Sequence, residues 1–134
     1  MEIHAFRLRP GEDLKAEIQT FLRDKNITAG WIMTCVGSLS RVNIRFADQE
    51  AGTRLDGPFE IISMAGTVSV NGVHLHLCVS DWNGRTIGGH LLEGNIIRTT
   101  AEIVIGETRG LEFRRVTDRD TGWQELVIET KGPG

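Results

Sequence analysis

The chain has 134 residues, a length typical of one domain, and its 40% hydrophobic and 25% charged residues are ordinary for a globular protein. A formal net charge of −3 and a pI near 5.8 argue against a protein that works on nucleic acid, because binding to phosphate backbones relies on clustered lysines and arginines. No run reaches the roughly 18 apolar residues of a membrane span, and the N-terminus lacks a secretion-signal pattern, so we expect a cytoplasmic protein without membrane contact.

The first two elements are a strand and a helix. Residues 3–9 alternate between polar and apolar, which predicts a strand that stops at Pro10-Gly11. From residue 13 to residue 25 the apolar side chains recur at spacings of three and four, which predicts an amphipathic helix. Glu12 and Asp13 suit the N-terminal end of its dipole, and Lys25 suits the other end.

Short strands and turns occupy the rest of the chain. Residues 48–57 form a polar loop, and Asn71-Gly72 is a strong hairpin signal between two strands. The predicted strands cover residues 31–36, 42–46, 59–70, 73–80, 85–92, 99–105, 111–116 and 123–129. One helix among strands joined by hairpins predicts an α+β domain, mainly antiparallel β-sheet with one principal helix packed on it. We expect a single domain over residues 1–130 and a disordered tail over residues 131–134.

Two other features receive an ordinary interpretation. Cys35 and Cys78 stand alone in apolar runs, so we expect buried reduced thiols and no disulfide bond. The densest basic cluster is Arg114-Arg115 with Arg119, and it is interpreted as solvated arginines on a late strand and its turn.

Three of the four histidines are placed to meet on one sheet face. His74 and His76 are two residues apart on a predicted strand, so their side chains point to the same face. His90 lies on the next strand. A three-residue loop, Trp82-Asn83-Gly84, puts His90 directly opposite His76, and Gly84 supplies the left-handed conformation that such a loop needs. A loop of two or four residues would put His90 on the opposite face.

Three converging imidazoles predict a divalent metal site. Opposed side chains in a sheet have Cβ atoms about 5 Å apart, and diagonal neighbours about 7 Å apart. Three nitrogen ligands suit zinc, with iron, copper, nickel and manganese as alternatives, and they leave a fourth position open. The other interpretation is histidines that only hydrogen-bond on a polar face, which is the one given to His4. Gly88 and Gly89 allow close approach of a metal or another chain, or mark a bulge that alters the register.

Several motifs resemble the plant and prokaryote conserved (PPC) domain. They are Ala29-Gly-Trp-Ile32, Val36-Gly-Ser-Leu-Ser40, Gly57-Pro-Phe-Glu-Ile-Ile-Ser-Met-Ala-Gly66, Gly72-Val-His-Leu-His-Leu77, Gly84-Arg-Thr-Ile-Gly-Gly-His-Leu-Leu-Glu-Gly94 and Thr121-Gly-Trp-Gln-Glu-Leu-Val127. The resemblance covers roughly residues 3–129. It implies an α+β fold around an antiparallel sheet, assembled as a homotrimer.

The resemblance also bears on function. Plant relatives carry a separate AT-hook that binds DNA, but this chain has no Arg-Gly-Arg-Pro core, because Leu111 follows Arg109-Gly110. Its histidines resemble those of the prokaryotic single-domain members, in which a histidine-bound metal has been suspected. A DNA-binding function therefore transfers poorly to this chain.

Two functions remain open after the sequence is read. The first, which we favour, is a trimeric binding or regulatory module whose metal is structural or senses a small-molecule or protein partner. The second is a metal-dependent hydrolase or lyase of unknown substrate, which would need a general acid or base beside the metal. Glu60, Asp81 and Glu93 have the right chemistry for that role. Direct DNA binding is the weakest interpretation.

Overall fold

The computed structural model describes residues 1–132 and confirms the α+β class, with one helix and eight strands among those residues. In chain order the elements are β1 (Glu2–Leu8), α1 (Leu14–Lys25), β2 (Ala29–Arg45), β3 (Thr53–Ser69), β4 (Gly72–Ser80), β5 (Thr86–Leu91), β6 (Ile96–Glu107), β7 (Leu111–Thr117) and β8 (Gln124–Thr130). The helix is neither long nor apolar enough to cross a membrane.

Six strands form the main antiparallel sheet, in the order β1-β6-β2-β3-β4-β5. The end of β2 also pairs with β5, through Ile44 opposite Leu91 and Arg45 opposite His90. This additional pairing curls β2, β3, β4 and β5 into a small closed barrel, so that their inner side chains share one core. The remaining strands, β7 and β8, form a separate two-stranded sheet.

Helix α1 begins and ends where the sequence predicts. Asp13 is the N-cap, and its Oδ1 accepts a hydrogen bond from the Ala16 N–H at 3.0 Å. The chain leaves the helix at Asn26, which adopts a left-handed conformation with φ 54°. Leu14, Ile18 and Leu22 form the buried apolar face of the helix.

The predicted break between residues 36 and 42 is wrong, because β2 runs through it as one strand of 17 residues. Irregularities in the pairing of β2 with β6 and β3 absorb the change of pattern there, including a shift between Leu39 and Arg41. At such a bulge an extra residue interrupts the alternation of side chains between the two faces, but the strand does not end. The interrupted alternation in the sequence therefore reflects bulges within one strand, not a turn between two strands.

The predicted loop over residues 48–57 is also too long. Strand β3 begins at Thr53 and continues through Gly57 and Pro58. Proline has no N–H to donate to a ladder, and it is tolerated here because the pairing skips it, passing from Leu39↔Phe59 to Arg41↔Asp56. The β3–β4 turn is Val70-Asn71, one residue earlier than the sequence signal indicates.

The β7–β8 hairpin joins the main body through backbone hydrogen bonds at the start of β7. The Phe113 N–H donates to the Thr28 carbonyl, and its carbonyl accepts from the Val70 N–H. The Phe113 side chain is buried. At the end of the described chain, the Lys131 N–H donates to the Gly110 carbonyl. Residues 133–134 of the predicted tail lie outside the described residues.

Both cysteines carry free thiols, as the sequence predicts. Cys35 is buried, but Cys78 is only half-buried because it lies on the outer face of β4.

Candidate metal centre

The predicted histidines lie on adjacent strands, β4 and β5. On β4, Leu75 and Leu77 are buried in the barrel core. His74 and His76, which alternate with them along the strand, are exposed. The alternation of the strand therefore separates an apolar inner face from a histidine-bearing outer face. His90 on β5 is half-buried and directly opposite His76.

The β4–β5 turn sets this register in the way the sequence predicts. The Asp81 N–H donates to the Arg85 carbonyl, and the Gly84 N–H donates to the Asp81 carbonyl. Gly84 has φ +78°, the left-handed conformation expected at the end of a three-residue loop. No register shift occurs between β4 and β5, so His76 and His90 are directly opposite each other.

The two glycines before His90 serve close packing and not a bulge. A Cβ atom at Gly89 would collide with the Arg45 carbonyl oxygen of β2, and one at Gly88 would lie 2.9 Å from the Leu77 carbonyl oxygen. Strand β5 can therefore approach both neighbours only because these positions lack side chains.

The three imidazoles are close enough to share one ion. Their ring centroids lie 5.0 Å apart for His74 and His76, 4.6 Å for His76 and His90, and 5.6 Å for His74 and His90. One nitrogen of each ring lies within 4.8 Å of the others. Tetrahedral zinc with bonds of about 2.1 Å needs ligand nitrogens about 3.4 Å apart, so these nitrogens would have to move closer together by at most about 1.4 Å on binding. The donor set therefore fits a metal with three protein ligands.

The electrostatic surroundings of His74 and His90 favour the neutral imidazole, which is the state that ligates metal. The pKa of His74 is lowered by partial desolvation, by the Arg115 guanidinium and by His76, against a smaller opposing effect of Glu125. The pKa of His90 is lowered by partial desolvation, by Arg45 and by the other two histidines.

Three residues near the histidines carry charge that the sequence did not assign to the site. Arg45 is directly opposite His90 on β2. Arg115 comes from β7, and its Nη2 donates to Thr67 Oγ1 at 2.6 Å, where Thr67 is directly opposite His74. The third is Glu125 of β8, close enough to raise the pKa of His74.

For Arg115, the expectation of a solvated side chain is wrong. The residue is half-buried, and its Nε is enclosed without a hydrogen-bond partner. No local sequence signal marks Arg115 or Glu125, because a hairpin distant in sequence brings them to the histidines.

The acidic residues proposed from sequence lie away from the cluster. Asp81 is engaged in its own turn, where Oδ1 accepts from the Asn83 and Arg85 N–H groups. Glu60 is opposite Ser80, four residues along β4 from His76. Glu93 is exposed and lies in the segment after β5. Among residues 1–132, no carboxylate belongs to the three-histidine group.

His4 lies at a separate place, with the hydrogen bond expected for it. Its Nε2 is 2.8 Å from Glu107 Oε2, and Glu2 completes a second group of potential ligands. These acids already have partners, since Glu2 is also paired with Arg109. The arrangement is a hydrogen-bonded pair between β1 and β6 beside the Glu2–Arg109 ion pair.

The family profile of the Plants and Prokaryotes Conserved (PCC) domain matches residues 1–109. This match covers the helix and the whole main sheet, including all three histidines. The chain belongs to the PCC domain family. The match confirms the resemblance to the plant and prokaryote conserved domain seen in the motifs.

Several known proteins are similar to this PCC domain. A Salmonella enterica protein described as hypothetical is 43% identical, with a TM-score of 0.95 over 97% of this chain and 94% of that one. An Archaeoglobus fulgidus protein described as metal-containing is 28% identical, with a TM-score of 0.82 over 95% of this chain and 94% of that one.

A curated relative, the bifunctional protein GlmU of Synechococcus sp. (strain JA-3-3Ab), is 44% identical over 129 residues, which is 96% of this chain. The chain spans about one fifth of the length of the curated relatives it matches (21% and 20%).

Proposed function

We propose that this protein is a homotrimeric binding or regulatory module that holds a divalent metal, zinc or a zinc-like ion, through His74, His76 and His90. The observation that carries the proposal is the convergence of three imidazole nitrogens within 4.8 Å of one another on one sheet face. The metal-containing Archaeoglobus relative supports it. A metal with three protein ligands keeps one position for a ligand, whereas structural zinc sites are filled by four protein ligands.

Elemental analysis of purified, untagged protein tests the metal site. We expect one metal per chain after incubation with Zn²⁺, and none in a His74→Ala/His76→Ala/His90→Ala variant whose circular dichroism is unchanged. His4→Ala is the matched control, because it removes the fourth histidine of the chain from a different place, and it should keep the metal. A parent protein that takes up no zinc, or a triple variant that retains it, contradicts the proposal.

The trimer is proposed from the resemblance and from uncovered apolar side chains on the outer sheet face. Val36 and Ile62 are 53% and 56% exposed, and they lie on neighbouring strands where Gly37 is opposite Ile61. Apolar side chains clustered on an open sheet face favour burial against another chain. Sedimentation equilibrium should give three times the chain mass of 14.9 kDa. A monomeric mass at micromolar concentration would contradict the trimer.

A second function, a metal-dependent hydrolase, is favoured by Glu125. Its carboxylate is half-buried, accepts from Thr121 Oγ1 at 3.1 Å and acts electrostatically on His74. A carboxylate beside a metal-bound water can serve as a general base. Zinc-loaded protein that hydrolyses activated esters, with loss of rate but not of zinc in Glu125→Gln, would support this function. Equal rates with and without zinc would exclude that function for these esters.

A further inference from the structure

We propose that the open position of the metal takes an oxyanion, a carboxylate or a phosphate group, and that Arg45 and Arg115 are the residues that select it. This inference rests on the proposed metal site and adds the chemical class of its ligand.

The two arginines flank the histidines from different sides. Arg45 lies directly opposite His90 on β2, in the row that continues from His76 across β5. Arg115 reaches the other end of the cluster from β7, beside the Thr67–His74 pair. An anion bound to the metal would therefore lie between two guanidinium groups.

Neither guanidinium is neutralised by a carboxylate in the part of the chain that the structure describes. Arg41, Arg109 and Arg114 are each paired with an acidic side chain there. In contrast, Arg45 donates to the neutral Gln49 carbonyl at 3.0 Å and Arg115 to the neutral Thr67 hydroxyl. The carboxylate of Glu125, which acts on His74, carries one negative charge, fewer than the positive charges of a divalent ion and two guanidinium groups.

The backbone that carries Arg115 is held in place by one turn residue. The Arg115 N–H donates to Asn71 Oδ1 at 2.8 Å, and Asn71 Nδ2 donates to the Arg115 carbonyl at 2.8 Å. Asn71 lies three residues before His74, directly before the start of β4. The same turn therefore positions both β4, which carries His74 and His76, and the backbone of Arg115. A charge held before its ligand arrives loses little freedom on binding.

Guanidinium groups discriminate by charge and shape. They bind carboxylate and phosphate oxygens through several N–H donors in one plane, and they offer nothing to a neutral ligand beyond a dipole. Because the histidines supply three neutral donors, a divalent ion there keeps its full positive charge, which also favours an anion. The charges around the site thus select the same class of ligand as the metal itself.

The test uses protein loaded with Co²⁺, whose visible spectrum reports changes in coordination. Acetate and inorganic phosphate are titrated separately into the parent, Arg115→Gln and Arg45→Gln. We expect spectral saturation in the parent and about tenfold weaker anion binding in each variant. Arg114→Gln is the matched control, because this exposed arginine is adjacent on β7 and paired with Glu112 and Glu129. The Arg114→Gln variant should bind both anions with the affinity of the parent protein.

Neutral imidazole separates loss of charge from damage to the metal site. Its affinity for the bound Co²⁺ should be unchanged, or slightly higher, in the arginine variants. A response to acetate alone or to phosphate alone names the preferred oxyanion and supports the proposal. Co²⁺ binding with anion affinities equal in all variants overturns this inference alone. Failure of the parent to bind Co²⁺ overturns the metal site, and this inference with it.

Discussion

At the scale of single residues, the proposed histidine ligation should make metal retention depend on pH in a predictable direction. An ordinary imidazole is half protonated near pH 6.5, and protonation competes with the metal. Because desolvation and Arg115 lower the pKa of His74, and desolvation and Arg45 lower that of His90, competition starts at a lower pH than usual. We expect zinc affinity to hold down to about pH 6.5 and to fall below it.

Competition with a chromophoric chelator from pH 7.5 to pH 4.5 measures this effect. Arg115→Gln removes a charge that lowers the pKa of His74, so in this variant the fall in affinity should move to higher pH. An affinity that is unchanged down to pH 4.5 would argue against histidine ligation.

The two cysteines should differ in reactivity because their thiols differ in burial. Burial raises the pKa of the Cys35 thiol to about 12, so at pH 8 only about one molecule in ten thousand carries the reactive thiolate. Cys78 is half-buried on the outer face of β4. Iodoacetamide should modify Cys78 in the native protein and Cys35 only after unfolding. Peptide mass spectrometry would contradict this if both thiols were labelled at equal rates.

At the scale of elements, Asp13 joins the helix to the segment that follows the site strand β5. Its Oδ1 caps α1 through the Ala16 N–H, and its Oδ2 accepts from the Gly94 N–H at 2.6 Å. We expect Asp13→Ala to lower the free energy of unfolding by about 1–2 kcal/mol, because two backbone donors lose their acceptor.

Urea unfolding followed by tryptophan fluorescence at a fixed protein concentration measures this loss. Asp24→Ala is the control, since Asp24 is exposed near the other end of the same helix and should change stability little. A loss in Asp24→Ala as large as in Asp13→Ala would refute the capping role.

The pairing of the strands also shows why the register between β4 and β5 could be predicted from the sequence, whereas the bulges of β2 could not. The register depends on local features, namely the period of two on β4 and a short loop that ends in Gly84. The continuity of β2 across residues 36–42 depends on partners 13 to 66 residues away on β3 and β6, where the pairing shifts absorb its bulges. No pattern within residues 36–42 carries that information, so the sequence there resembles a turn.

At the scale of the whole molecule, the site combines two parts of the chain. The family profile ends at residue 109, and the histidines lie within it. Arg115 and Glu125 come from the β7–β8 hairpin beyond residue 109. The packing of this hairpin on the main sheet depends on contacts such as Asn71 with Arg115, between residues 44 positions apart. Sequence reasoning could therefore bring the three histidines together but could not find the charges beside them.

The last prediction concerns how assembly relates to the metal site. A Val36→Glu/Ile62→Glu variant places two carboxylates on the exposed apolar patch of the outer face, and burying them in an interface would be costly. We expect this variant to sediment as a monomer. Trp82→Ser is the control, because Trp82 is an exposed apolar residue of the β4–β5 turn, outside this patch, and its loss should leave the trimer intact.

The monomeric variant should still bind one zinc ion per chain, because all three proposed ligands belong to a single chain. Its zinc affinity should lie close to that of the parent, measured by the same chelator competition. Loss of zinc on dissociation would show instead that a neighbouring subunit supplies the fourth ligand, and the open position proposed here would then be filled by protein. A variant that stays trimeric would place the interface on another surface of the molecule.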